Sequence, residues 1–179
     1  KVEMDQALSS LAFALLLAIL LVYAVMAAQF ESLLQPLLIL FSVPLAGIGA
    51  VLALAATNTP LSVIALLGAV VLAGIVVNNA IVLVDRINKN RARGMELDEA
   101  ILEAGKARLR PILMTTATTV LGMLPLMGFL GVGNAEGTEL RAPMALVVIS
   151  GLLVSTLLTL IIIPTGYRLL ARIHHVTVR

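Results

Sequence analysis

The sequence contains no cysteine and few charged residues. Without cysteine, the chain can form neither a disulfide bond nor a thiolate metal site. Charged residues make up 12% of the 179 residues and hydrophobic residues 60%, whereas a typical globular domain is about 25% charged. The chain has too little polar surface to face water, so lipid must be the solvent for most of it. The net charge of +2 is too small to indicate a nucleic-acid partner.

Asp, Glu, Lys, Arg and His are all absent from five long apolar segments. A helix needs about 20 apolar residues to cross the hydrocarbon core of a bilayer. The segments lack the alternation of strands and the polar face of a soluble helix. The sequence therefore predicts an all-α membrane protein with five transmembrane helices, at residues 8–30, 37–56, 61–84, 112–130 and 143–167.

Ten of the twelve Lys and Arg residues fall in two clusters, a loop at residues 85–110 and a tail at residues 168–179. Basic loops stay in the cytoplasm. The N-terminus is then predicted to be periplasmic, the C-terminus cytoplasmic and residues 131–141 a periplasmic loop. Residues 1–179 form a single transmembrane half-bundle in this interpretation. The chain begins at Lys1 without a signal peptide, so we expect a piece of a longer polypeptide.

The basic loop contains an amphipathic stretch. Leu97, Ala100, Ile101 and Ala104 follow the i, i+3, i+4, i+7 spacing of one apolar helix face. Acidic residues come first and basic residues last, which suits the helix dipole. The pattern predicts a short amphipathic helix on the cytoplasmic surface of the membrane. The alternative is a solvated charged linker.

Small residues recur within the apolar segments at four-residue spacing. Helices in lipid associate through close backbone approach and polar contacts. The spacing predicts helix–helix packing at Ala46, Ala50, Ala69, Ala73, Gly151, Ser155 and Thr159.

Asn78 and Asn79 are adjacent amides inside the third segment. A primary amide in hydrocarbon is costly without a hydrogen-bond partner, and neighbours on a helix point about 100° apart. At least one amide must therefore face protein or a wet cavity. The pair fits either interhelical hydrogen bonding or a polar site on an ion or proton path.

The fourth segment is rich in threonine, and Arg108 lies seven residues before Thr115. If one helix continues through Pro111, both residues lie on the same face. The simpler interpretations are a threonine that bonds its own helix and an arginine that extends to the membrane interface.

Two stretches of this sequence resemble a known family. They are GIVVNNAIVLVD at residues 74–85 and RLRPILMTT at residues 108–116, supported by QFES at 29–32, VPL at 43–45 and LRAPM at 140–144. All resemble resistance–nodulation–division (RND) efflux pumps. The resemblance covers essentially the whole chain and implies the eighth to twelfth of the family's usual twelve membrane helices.

The resemblance implies a homotrimer in the bacterial inner membrane that exports drugs, lipids or metal ions by proton entry. A periplasmic adaptor and an outer-membrane channel are the implied further partners, and multidrug resistance is an implied role. Asn78 takes the position of a Lys in well-known drug pumps, Asn79 matches the next Asn, and Arg108 and Thr115 match the relay Arg and Thr.

This chain departs from the family pattern in two ways, which limit what the resemblance implies. Asn78 cannot titrate, and the family's paired aspartates belong to the other half of the transporter, which is absent from this chain. The expected function is thus the C-terminal membrane-domain portion of a proton-driven exporter, forming part of the wall of the proton-relay pathway (Asn78, Asn79, Arg108, Thr115). The lipid bilayer and the N-terminal half of the transporter are its expected partners. The alternative is a non-transporting membrane fragment or subunit whose polar residues serve packing only.

An enzyme is not expected, because no segment holds a carboxylate, His or Cys that could act as base or nucleophile. His174 and His175 in the basic tail are interpreted as solvated. The sequence predicts no metal site and no cofactor.

Overall fold

The computed structural model describes residues 2–128 and 137–173, and every regular element in those ranges is a helix. The α-helices are α1 (Val2–Phe30), α2 (Leu34–Leu40), α3 (Ser42–Ala56), α4 (Val63–Ala92), α5 (Leu97–Met123) and α6 (Thr138–Ile173), with a 3-10 helix at Leu124–Met127.

Five helical units are long and apolar enough to cross a membrane, because α2 and α3 together form one unit, Leu34–Ala56. The prediction of an all-helical protein with five apolar membrane-length helices is confirmed. Most of the predicted periplasmic loop 131–141 and both histidines of the tail lie outside the described residues. The orientation in the membrane stays a prediction.

The break between α2 and α3 lies at Phe41, three residues before Pro44. Proline has no N–H, and its ring clashes with the carbonyl four residues earlier, here that of Leu40. Phe41 still donates its N–H to the Leu37 carbonyl at 3.0 Å. The chain therefore bends within this span instead of leaving it.

The predicted loop 85–110 and its separate surface helix are wrong. The helix α4 continues to Ala92, α5 already begins at Leu97, and Gly94 makes the turn between them at φ +85. The predicted apolar stripe packs on protein rather than on lipid, since Ala100 and Ala104 are fully buried. That burial makes the amphipathic stretch the first turns of a 27-residue helix.

The centre of the bundle is α6, which packs against α3, α4 and α5, whereas α1 packs on α2 and α4 at one side. One apolar cluster joins α4 to α2, α5 and α6 through residues such as Ile39, Leu83, Ile87 and Ile163. A second cluster joins α3, α4 and α6. The polar residues of α4 and α5 are held on this frame.

Candidate functional site

Asn78 and Asn79 occupy different surroundings on α4. Asn78 is exposed and continues an outward stripe of the helix that contains Leu67, Val71 and Gly74, all exposed as well. Asn79 is half-buried, because one residue turns the helix by about 100°. Asn78 therefore faces away from the rest of this bundle, and Asn79 lies at its edge.

Arg108 and Thr115 share one face of α5, because the helix continues through Pro111 and seven residues make about two turns. Arg108 is half-buried and Thr115 is exposed. The Thr115 hydroxyl donates to carbonyls of its own helix, at 2.9 Å to Ile112 and 3.2 Å to Pro111. Its proton is thus held by the backbone, and its lone pairs point outward.

The register between α4 and α5 follows from one hydrogen bond beside their turn. Asn90 Nδ2 donates to the carbonyl of Ala100 at 3.1 Å. Twelve residues beyond that contact on each helix bring Asn78 level with Ile112, because both helices rise about 1.5 Å per residue. Arg108 then lies about 6 Å nearer the turn and Thr115 about 4.5 Å farther from it. The four predicted relay positions therefore span about 10 Å of depth, a third of the hydrocarbon core.

The face of α5 that carries Thr115 is covered near the turn and open beyond it. Ala104, three turns earlier on that face, is fully buried, whereas Thr115 and Thr118 are exposed. Asn79 lies on the same side of α4 as Asn90, eleven residues away, which is about three turns. Asn79 therefore lies on the side of α4 that carries the contact with α5, and Arg108 and Thr115 lie on the side of α5 that is buried nearer the turn.

A buried hydroxyl pair joins α5 to α6, and the sequence analysis did not find it. Thr116 and Thr156 are 5% and 6% exposed, and their Oγ1 atoms lie 3.0 Å apart. Both belong to groups of hydroxyl residues inside apolar segments, and these groups were the only feature of the sequence that indicated a hydroxyl contact between helices. Nothing in the sequence told which of the neighbouring threonines turns inward.

A second polar network, also missed, links α2, α4 and α6. The Asn88 amide donates to Gln35 Oε1 at 2.8 Å, and the Tyr167 hydroxyl donates to Asn88 Oδ1 at 2.6 Å. Gln35 Nε2 lies 3.4 Å from the same oxygen. Asn88 lies in a stretch rich in charged residues, so the sequence did not distinguish it from its solvated polar neighbours.

The residues predicted to pack helices lie mostly at the contacts of α6. Six of them lie on α3, α4 or α6 with their side chains buried or half-buried, and Gly151 is buried at the centre of these contacts. A Cβ atom on Gly151 would collide with the Leu72 side chain and lie 3.1 Å from the Ala46 carbonyl. The six packing residues other than Gly151 are Ala46, Ala50, Ala69, Ala73, Ser155 and Thr159.

Within residues 2–128 and 137–173, no group of three or more His, Asp or Glu could hold a metal ion. What the arrangement offers is a fixed cation, two amides and a hydroxyl within about 10 Å of depth in an apolar bundle. Such groups exchange hydrogen bonds and orient a charged partner.

Apolar helices of membrane length that carry a few polar groups inside the span are typical of multi-pass transporters. The sequence profile of the AcrB/AcrD/AcrF family matches residues 2–171, so this chain belongs to that family of RND transporters, which are not enzymes. It is a portion of an efflux transporter of the bacterial inner membrane.

Two curated relatives illustrate the similarity. The multidrug resistance protein MdtC of Erwinia amylovora is 45% identical over 164 residues, which are 91% of this chain and 16% of that protein. The swarming motility protein SwrC of Bacillus subtilis is 43% identical over 171 residues, which are 95% of this chain and 16% of that protein.

A crystal structure of a heavy metal efflux pump superposes on this chain with a TM-score of 0.83 at 32% identity. The match covers 95% of this chain and 16% of the pump. This chain therefore spans about one sixth of the length of the relatives that it matches.

Proposed function

We propose that this chain is the C-terminal membrane portion of a proton-driven RND exporter and forms part of the wall of its proton relay. Arg108, Thr115, Asn78 and Asn79 face acidic residues of the N-terminal half in this proposal. The complete transporter supplies the acids that titrate.

The observation that carries the proposal is a difference between the two exposed surfaces. The exposed face of α1 is apolar, with Phe13, Leu16 and Leu20 more than half exposed, and lipid can cover it. The exposed face of α5 instead presents hydroxyls at membrane depth. Polar groups in a membrane span turn toward protein or a wet cavity, which supports a polar partner on the open face of α5.

The Thr115 hydroxyl suits a relay because it can serve an acid in both protonation states. With its own proton on the backbone carbonyls, it accepts a hydrogen bond from a protonated carboxyl group. When that group loses its proton, the hydroxyl can rotate and donate to the carboxylate. One proton transfer thereby changes the bonding between α5 and the other half.

Arg108 supplies the fixed positive charge of the proposed relay. A guanidinium carries a positive charge and only donates hydrogen bonds, so it stabilises the ionised acid. Asn78 and Asn79 carry no charge, and their amides orient the acid or an intervening water. The charge balance of the relay then depends on Arg108 alone among the four.

The remaining family features complete the proposal. We place the N-terminus in the periplasm and the C-terminus in the cytoplasm, because the basic residues of α4 and α5 then lie on the cytoplasmic side. The assembled transporter is a homotrimer that works with a periplasmic adaptor and an outer-membrane channel.

The test uses the complete transporter in an efflux-deficient host, with a compound against which the wild-type protein protects. Removing the cation leaves a buried carboxylate without its counter-ion, at about 3–5 kcal/mol, so Arg108→Met should lower transport at least about 100-fold. Thr115→Val and Asn78→Leu each remove one hydrogen-bonding group and should lower it about fivefold. Membrane levels of each variant are checked by immunoblot.

Wild-type transport by Arg108→Met would defeat the relay, and wild-type transport by both Thr115→Val and Asn78→Leu would remove those residues from it. If an assembled wild-type transporter protects against no compound, the packing-only alternative is favoured.

A further inference from the structure

The hydroxyl pair between α5 and α6 has a fixed direction. Thr156 Oγ1 lies 2.6 Å from the carbonyl oxygen of Leu152, and a carbonyl only accepts. Each hydroxyl has one proton, so the Thr156 proton points at Leu152. In the contact of 3.0 Å between the two threonines, Thr116 must therefore be the donor.

This bond lies on the side of α5 that faces inward. Successive residues of a helix are about 100° apart, so a helix with Thr116 turned to α6 carries Thr115 on its open face. A rotation by one residue would bury Thr115 and expose Thr116. The direction of Thr115 is thus coupled to a bond that its neighbour makes.

The other side-chain tie between α5 and α6 in the described residues is weaker. Arg168 and Asp98 form an ion pair at 2.7 Å near the α4–α5 turn, and their side chains are 50% and 62% exposed. Exposed ion pairs contribute little, because solvent and salt screen them. At the depth of Thr115, the hydroxyl pair is the polar side-chain contact between α5 and α6 among the described residues.

We propose that Thr116 and Thr156 are positioning residues of the transporter, which hold the open face of α5 with Arg108 and Thr115 toward the acid-bearing half. The proposal rests on the function proposed above. Neither threonine touches the acid in it, and both act through the rotation of α5.

Thr116→Val is a clean test of this role. Valine has a similar shape and removes the donor, while Thr156 keeps its bond to the Leu152 carbonyl. The variant loses one interhelical bond and leaves no buried hydroxyl without an acceptor. Thr116→Ser restores the donor, and Thr165→Val is a matched control, because the exposed Thr165 hydroxyl bonds its own helix at 2.7 Å.

The first measurement reports rotation and needs no transport. Thr115→Cys is introduced into the complete transporter, and its reaction rate with a maleimide is measured in membranes, after subtraction of the parent's background. This chain itself contains no cysteine. An interhelical bond of about 0.6 kcal/mol in a membrane protein corresponds to about a threefold change. We expect Thr116→Val to change the rate at least that much, and Thr116→Ser and Thr165→Val to leave it unchanged.

The second measurement is transport by the same substitutions with Thr115 intact. We expect Thr116→Val to lower the maximal export rate about threefold without changing the substrate KM, because neither threonine contacts the substrate in this proposal. Thr156→Val removes the same interhelical bond and also leaves the Thr116 hydroxyl without its acceptor, so it should lower the rate at least as much, and the double variant no more than Thr156→Val alone.

An unchanged maleimide rate together with unchanged export in Thr116→Val overturns the positioning role. If Arg108→Met still abolishes export in that case, the relay stands and only this inference fails. If Arg108→Met exports normally, the proposed relay fails, and the maleimide rate alone then decides whether the hydroxyl pair sets the rotation.

Discussion

Gly47 and Gly49 on α3 differ by two positions and meet different surroundings. A Cβ atom at Gly49 would lie 2.7 Å from the Val154 Cβ and 3.1 Å from the Ser150 carbonyl, whereas at Gly47 it meets nothing within 4 Å. The missing side chain at Gly49 lets the backbones of α3 and α6 approach closely. Close approach is how small residues stabilise helix pairs in lipid.

The two glycines therefore predict opposite responses to the same substitution. Gly49→Ala should destabilise the complete transporter by about 1–3 kcal/mol, because the added methyl forces α3 and α6 apart. Gly47→Ala should be neutral or stabilise by about 0.5–1 kcal/mol, since alanine is the better helix former. Thermal unfolding of the purified transporter in detergent measures both. Equal melting temperatures for the two variants would contradict the packing described for Gly49.

At the scale of helices, the hydrogen bonds of Asn88 hold α2, α4 and α6 together. Close contacts of small residues hold α3 to α6 in the same way. Two hydrogen bonds of 2.8 Å and 2.6 Å meet at one half-buried amide. Each neutral hydrogen bond contributes about 1 kcal/mol net. The network therefore holds the end of α4 against two other helices, and with it the register of the proposed relay positions farther along α4.

Asn88→Leu should destabilise the transporter by about 1–3 kcal/mol, because it leaves the polar ends of Gln35 and Tyr167 without their partner. Tyr167→Phe should cost about 1 kcal/mol, since it removes one of the bonds. Combining them should cost little more than Asn88→Leu alone, because the second change removes a bond that is already lost. Thermal unfolding of the three variants gives the comparison, and full additivity would show that Tyr167 does not act through Asn88.

For the molecule as a whole, two helices leave most of their surface uncovered. Among the 18 most apolar consecutive residues of each span, 6% are buried in α1 and 11% in the span of α5, whereas 44% are buried in α4 and α6. The bundle has a covered middle and two open sides, one apolar and one carrying hydroxyls. That asymmetry distinguishes an apolar side from a side with exposed hydroxyls, which is the side proposed to face the other half of the transporter.

The proposed orientation predicts labelling at two matched positions. Ala56 and Ala92 are both exposed and are the last residues of α3 and α4. A membrane-impermeant maleimide should label Ala56→Cys in intact cells and Ala92→Cys only after permeabilisation, because the basic turn stays inside. The parent transporter, treated in the same way, provides the background. Labelling of Ala92→Cys in intact cells, and of Ala56→Cys only after permeabilisation, would show that the topology is inverted.

Much of the fold followed from local features. The length and apolar character of five segments predicted the helices, because any such stretch in lipid must satisfy its own backbone. The ends of α4 and α5 could not be predicted in the same way. Charge marked residues 85–110 as a loop, but Ala100 and Ala104 found a packing surface on α4, and that surface is built by the fold.

The sequence by itself determined that this protein resides in a bilayer, which residues are small enough for close helix contacts, and that Asn78, Asn79, Arg108 and Thr115 are unusual there. Only the tertiary structure decided which hydroxyl turns inward and which helices each polar side chain joins. The partners of Thr116 and Asn88 lie 40 and 79 positions along the chain. Composition and spacing act within one helix, whereas the rotation of a helix about its axis is set by the neighbours against which it packs.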